Sequence, residues 1–106
     1  MKLAVIHTAF EETPRTVAFV DVPLNTVEAG IDACLEYAYR WTQNIADSWS
    51  MKGERDGNEN VTVMAELPVS QRTGQVMGLR STSVNDQILM GNKKYRVAFA
   101  GFEELT

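Results

Sequence analysis

The sequence predicts an α+β domain: a mainly antiparallel sheet in the order β-β-α, an irregular middle, then β-β-β, with one main amphipathic helix packed on it. Three observations predict this class. Runs of alternating or β-branched residues lie toward both ends of the chain, each end joins two such runs across a polar turn, and a single stretch of helical periodicity lies between them. A lone amphipathic helix beside several strands has only the sheet to cover.

Leu3 to Phe10 and Arg15 to Val22 read as the first two strands, and Glu11-Glu12-Thr13-Pro14 joins them as a hairpin. Pro23 ends the second strand, and Asn25-Thr26-Val27-Glu28 has capping-box spacing, so a helix is expected from there to about Gln43. Its apolar stripe is Ile31, Cys34, Leu35 and Ala38, with Trp41 or Thr42 less regularly placed. Glu28, Asp32, Glu36 and Arg40 form the polar stripe, in which Glu36 and Arg40 have the favourable order for an ion pair.

Ile45 to Met51 alternates apolar with small or polar residues and suits either a short strand or a winding loop. Lys52 to Asn60 has no apolar residue and is expected to be an exposed connection. Val61 to Ala65 is a strand closed off by Pro68, and residues 69–82 read as a long loop carrying a short strand at Gln75 to Leu79. Gln87 to Met90 and Tyr95 to Phe99 then form a second hairpin around Gly91-Asn92-Lys93-Lys94.

A chain of 106 residues with 44% apolar and 23% charged residues suits one domain, here residues 1–106, with enough core to fold without a metal. Cys34 is the single cysteine, so no intrachain disulfide can form. On the apolar stripe it reads as a small buried hydrophobe. The N-terminal Met-Lys-Leu-Ala-Val-Ile-His falls short of a signal-peptide core, and no apolar run approaches the ~20 residues that span a bilayer. A cytoplasmic location is expected, without membrane contact.

The formal charge of −4 is unevenly spread. Residues 1–69 carry five basic and eleven acidic side chains, whereas residues 70–96 carry Arg72, Arg80, Lys93, Lys94 and Arg96 against Asp86 alone. So mild an acidic excess argues against general duplex binding. It also falls short of the dense acidic array that mimicry of DNA requires.

No catalytic constellation is legible. His7 is the sole histidine, stands in the first strand, and has no serine or cysteine nucleophile beside it. Asp56-Gly57-Asn58-Glu59-Asn60 opens like a calcium loop but meets Val61 where the bend needs glycine and Leu67 where a bidentate glutamate belongs. Gly74 and Gly78 lack the lysine and helix start of a phosphate loop. Asn60-Val61-Thr62 is a formal glycosylation sequon, irrelevant outside the secretory path. An enzyme would need Asp21, Asp47, Glu66 and Asp86 to converge, so no catalytic, cofactor or metal residue is assigned.

Tyr37, Tyr39, Trp41 and Trp49 gather around the helix C-terminus with Arg40. Core packing, contact with a protein, and stacking on single-stranded bases are all open to them, in that order of weight. The residues offered for partner binding are therefore Tyr39, Arg40, Trp41 and Trp49, together with Arg72, Arg80, Lys93 and Lys94 of the basic third.

Residues 79–105 contain an Arg-Ser-x-Ser-Val-x-Asp turn, a strand, a Gly-containing turn, a Tyr-x-Val strand and a Gly-Phe. The matching positions are Arg80, Ser81, Ser83, Val84, Asp86, Tyr95, Val97, Gly101 and Phe102, with Asn85 where glycine is more usual. This segment resembles the closing motif of small YodL-like domains of phages, plasmids and other mobile elements. Ser83 and Asp86 are expected to bond nearby amides, and Tyr95, Val97 and Phe102 to pack beneath the hairpin. The resemblance implies an accessory protein that binds a host protein or protein complex and modulates or inhibits it, restriction and CRISPR defence included. An RNA or single-stranded nucleic-acid module is the alternative, and pairing with a second copy of the chain is a further option.

Overall fold

The computed structural model describes residues 1–105. The α+β class holds. Strands β1 (Lys2–His7), β2 (Arg15–Asp21), β3 (Val61–Val63), β4 (Gln87–Met90), β5 (Lys93–Val97) and β6 (Phe102–Leu105) form one antiparallel sheet in the order β3-β2-β1-β4-β5-β6. Both expected hairpins are present, and β1 joins them by pairing Leu3 with Met90 and Val5 with Ile88. The sixth strand is additional: the Gly-Phe at the end of the motif opens it, with Phe102 opposite Val97.

The expected single helix is instead two, α1 (Leu24–Glu28) and α2 (Ile31–Arg40). Gly30 marks the break, because its φ of 113° is a backbone conformation that residues with a Cβ rarely adopt, and the chain changes direction there. The capping box does not form. Pro23 occupies the cap position of α1, with no side-chain hydrogen bond, and its carbonyl accepts from the Thr26 and Val27 amides. Asn25 thus lies inside the helix rather than before it.

Helix α2 covers one face of the sheet. Cys34, Leu35 and Ala38 pack with Leu3, Val5, Ala18, Val20, Ile88, Tyr95 and Val97 in a single core, as the stripe predicts for these three positions, while Ile31 is exposed. Fully burying side chains of the Val or Leu kind stabilises by roughly 1.5–3 kcal/mol each, which makes this layer the main source of stability. Strict alternation in β2 fails: a bulge opposite Val5 and Ile6 leaves Val17 and Ala18 both buried. The other face bears Phe19, Ala4 and Leu89 in register across β2, β1 and β4.

The middle of the chain differs most from expectation. Of the two readings open for residues 45–51 the winding loop holds, and β3 stops at Val63, short of the expected Ala65. Residues 75–79 contribute only an isolated bridge, Val76 to Val69, within an exposed arm. The apolar-free run 52–60 is not simply an exposed connection, because it folds around the buried Asp56. One carboxylate oxygen of Asp56 accepts the amides of Ile45, Ala46 and Asp47 at 2.9, 2.7 and 2.5 Å. The amide hydrogen bond from Asp47 leads, against the opposing effect of burial, in holding this carboxyl below the usual carboxylate range. Those donors all fall on Oδ2, and Oδ1 faces the Arg40 guanidinium at 3.2 Å, a cation where a metal would have to sit. Asn58 and Asn60 donate to the Tyr37 hydroxyl at 2.9 and 3.1 Å, so the segment is tied down by polar side chains rather than apolar ones.

Candidate functional site

Where β1 and β5 end and β4 begins, the motif residues build a buried polar network. Asp86, fully buried, accepts two hydrogen bonds from Arg80, at 2.6 and 3.0 Å, and three from the amides of Thr8, Ala9 and Ser83, at 2.8, 2.9 and 2.7 Å. Burial alone would raise its carboxyl, but these donors outweigh that and hold it at about 2. Asp86 therefore does bond nearby amides, whereas the Ser83 side chain reaches only the Ser81 carbonyl, at 3.4 Å. Asn85 beside it has φ 79°, and its side-chain oxygen accepts from Arg96 at 3.1 Å. Asparagine tolerates this left-handed conformation, which is why it can stand where glycine is more usual.

His7, also buried, lies with Nε2 3.0 Å from Thr82 Oγ1, and Thr82 Oγ1 donates to Thr42 Oγ1 at 2.8 Å. Asp86 Oδ2 is 3.9 Å away from the same ring nitrogen. Burial drives the His7 pKa down to about 4 despite the pull of Asp86, so the ring is neutral at physiological pH. The four carboxylates that an enzyme reading requires do not converge. Asp21 pairs across from Lys2 at the opposite end of the sheet from Asp86, Asp47 binds the Arg55 amide, and Glu66 is exposed. Among the described residues, no group of three or more His, Cys, Asp or Glu is placed to hold a metal.

Acid should weaken the fold in two stages. Between about pH 6.5 and 4 the unfolded chain takes up a proton on His7 that the folded chain refuses, so stability falls as pH falls, by on the order of 3 kcal/mol at ~1.4 kcal/mol per unit. Below about 4 the unfolded Asp86 protonates first, and its contribution is lost as pH approaches its folded value of about 2. Urea midpoints measured across this range should show the upper stage flattened in His7→Gln and the lower one unchanged. An unaltered upper stage in that variant would place the proton on another group.

The structure separates the residues offered for partner binding. Trp49 is fully buried, with its indole N–H donating to the Arg80 carbonyl at 3.0 Å, so it is a core residue and not a contact aromatic. Arg40 turns away from Glu36, pairs with Asp56 at 3.2 Å and stacks over Trp41 at 4.2 Å. Tyr39 and Trp41 are half-buried, Trp41 beside Tyr37 and Tyr39 against Phe102. The basic residues form no common patch. Arg72 is exposed in the arm, Arg80 belongs to the Asp86 network, and Lys93 and Lys94 start β5 at the sheet's opposite end. They also lie in the strand rather than in the turn, which is Gly91-Asn92 alone.

Two side chains that sequence reasoning places in strands are exposed instead. Phe99 is 98% exposed in the β5–β6 turn, and Phe10 is 75% exposed just past β1, with the Arg80 guanidinium 4.9 Å from its ring centre. Strands β1 and β5 run in the same direction, so both phenylalanines lie at the end of the sheet that holds the Asp86 network. Ala98, Ala100 and Gly101 around Phe99 are poor strand formers and were the signal for a turn. No helix among the described residues is long and apolar enough to cross a membrane. Comparison of the chain with protein-family models, with curated proteins and with solved structures finds no match.

Proposed function

We propose that this chain is a non-enzymatic accessory protein of a phage or other mobile element, acting in the host cytoplasm by binding a host protein complex and modulating or inhibiting it, as anti-defence proteins do. The observation that carries the reading is the exposure of Phe10 and Phe99 at one end of the sheet, beside charged groups already paired with one another. Aromatic side chains next to neutralised charge favour a desolvated protein contact. The lineage follows from the motif resemblance at residues 79–105.

Nucleic acid is the weaker partner because three of the five cations in residues 70–96 already face carboxylates. Arg80 faces Asp86 and Glu11, Arg96 faces Glu103, and Lys93 faces Glu104 at 3.8 Å. Affinity capture from host lysate should yield a stoichiometric protein that survives nuclease treatment, and the double variant Phe10→Ala/Phe99→Ala should lose it. Absence of any stoichiometric protein, or retention of RNA alone with binding that vanishes as salt rises, would replace this reading.

A further inference from the structure

Beside Phe99 a cleft of about 140 Å³ lies between the C-terminal half of α2 and the β5–β6 turn, lined by Glu36, Tyr39, Val84, Val97, Phe99 and Phe102, among others. Tyr39 and Phe102 meet edge to face, with ring centres 6.2 Å apart and planes at 77°, so they form two nearly perpendicular aromatic walls. Phe99 stands at the rim of the cleft, 98% exposed. Glu36 is exposed and makes no salt bridge among the described residues, because Arg40, the cation one turn further along α2, is drawn to Asp56 and Trp41.

Two packed rings, a third at the rim and a carboxylate without a salt bridge beside one small cleft have a definite chemical preference. Aromatic faces carry negative potential and attract a cation more strongly as water is excluded. The carboxylate repels an anion, and an apolar occupant would strip it of water without compensation. Resting on the protein-binding reading above, we propose that this cleft receives a cationic side chain, a lysine ammonium with or without methyl groups or an arginine guanidinium, from a basic segment of the partner protein. Tyr39 is the one residue this site shares with the set offered by sequence.

The test is a proton–nitrogen NMR titration of the whole chain with four single-residue probes: the Nα-acetyl methylamides of lysine, Nε-trimethyl-lysine, arginine and norleucine. Saturable shifts are expected at Tyr39, Gly101 and Phe102, with any of the three cations binding at least about fivefold more tightly than norleucine. The order among the cations identifies the source. Glu36→Gln and Phe99→Ala, both at exposed positions, should each weaken cation binding by about three- to tenfold while leaving the remaining spectrum in place. Equal binding of norleucine, no saturable shift with any cation, or unchanged affinity in Glu36→Gln would overturn the proposal. These outcomes concern the isolated chain and separate from failure of the wider reading. A captured host protein whose retention is untouched by Glu36→Gln leaves that reading intact and removes the cation site.

Discussion

Asp86→Ala is expected to cost about 3–5 kcal/mol, the range for removing one partner of a buried ion pair. The alanine leaves the Arg80 guanidinium without its bidentate acceptor and leaves the Thr8, Ala9 and Ser83 amides without theirs. Unsatisfied groups cost more than the hydrogen bonds had contributed, since each had been desolvated on the expectation of a partner. A domain of this size has only ~5–15 kcal/mol in total, so the variant should be largely unfolded or close to it. Urea denaturation provides the measurement. Combining Asp86→Ala with Arg80→Leu should recover part of the loss, because the stranded cation goes as well. A loss below about 1 kcal/mol in the single variant would mean that water satisfies these donors and that the network is not structural.

Trp49→Ala should cost a similar amount, about 3–5 kcal/mol, by a different route. The ring is fully enclosed by the core, so its removal leaves a cavity that the sheet and α2 can fill only in part. It also strands the Arg80 carbonyl, which now accepts the indole N–H, and that carbonyl belongs to the segment carrying the Asp86 clamp. Trp49→Phe retains most of the buried area and should lose roughly 1–2 kcal/mol, near the value of one buried hydrogen bond and a small void. Chemical denaturation of the two variants decides the matter. An alanine variant of near-native stability would return Trp49 to the set of residues offered for partner binding.

The two hairpins and the α2 stripe were legible because each is a local pattern: alternation, a glycine turn, and apolar spacing of three and four. Cys34, Leu35 and Ala38 are buried where that spacing puts them. The helix break at Gly30 was not read, since periodicity runs through the glycine and only its backbone angle shows the turn. Residues 45–60 were illegible for a deeper reason. Hydrophobic patterning locates buried apolar groups, whereas this segment is organised by a buried carboxylate whose amide partners are nine to eleven residues away.

The candidate site failed to appear in the sequence for a comparable reason. Tyr39 and Phe102 meet across sixty-three positions of chain, and Glu36 is left without a cation only because Arg40 finds Asp56. Neither fact has a local signature. Arg80 illustrates the converse: basic composition suggested a contact residue, but its charge is used inside the fold.

The position of β1 has a consequence for how the chain is made. This strand lies near the N-terminus yet sits between β2 and β4 in the interior of the sheet. Its pairing with β2 is available as soon as residues 2–21 have left the ribosome, while its other edge stays open until Gln87 to Met90 emerge. While residues 22–86 are being added, the nascent chain therefore presents the exposed hydrogen-bonding groups of a half-zipped strand. Chaperone occupancy on the growing chain should end when the closing hairpin docks there.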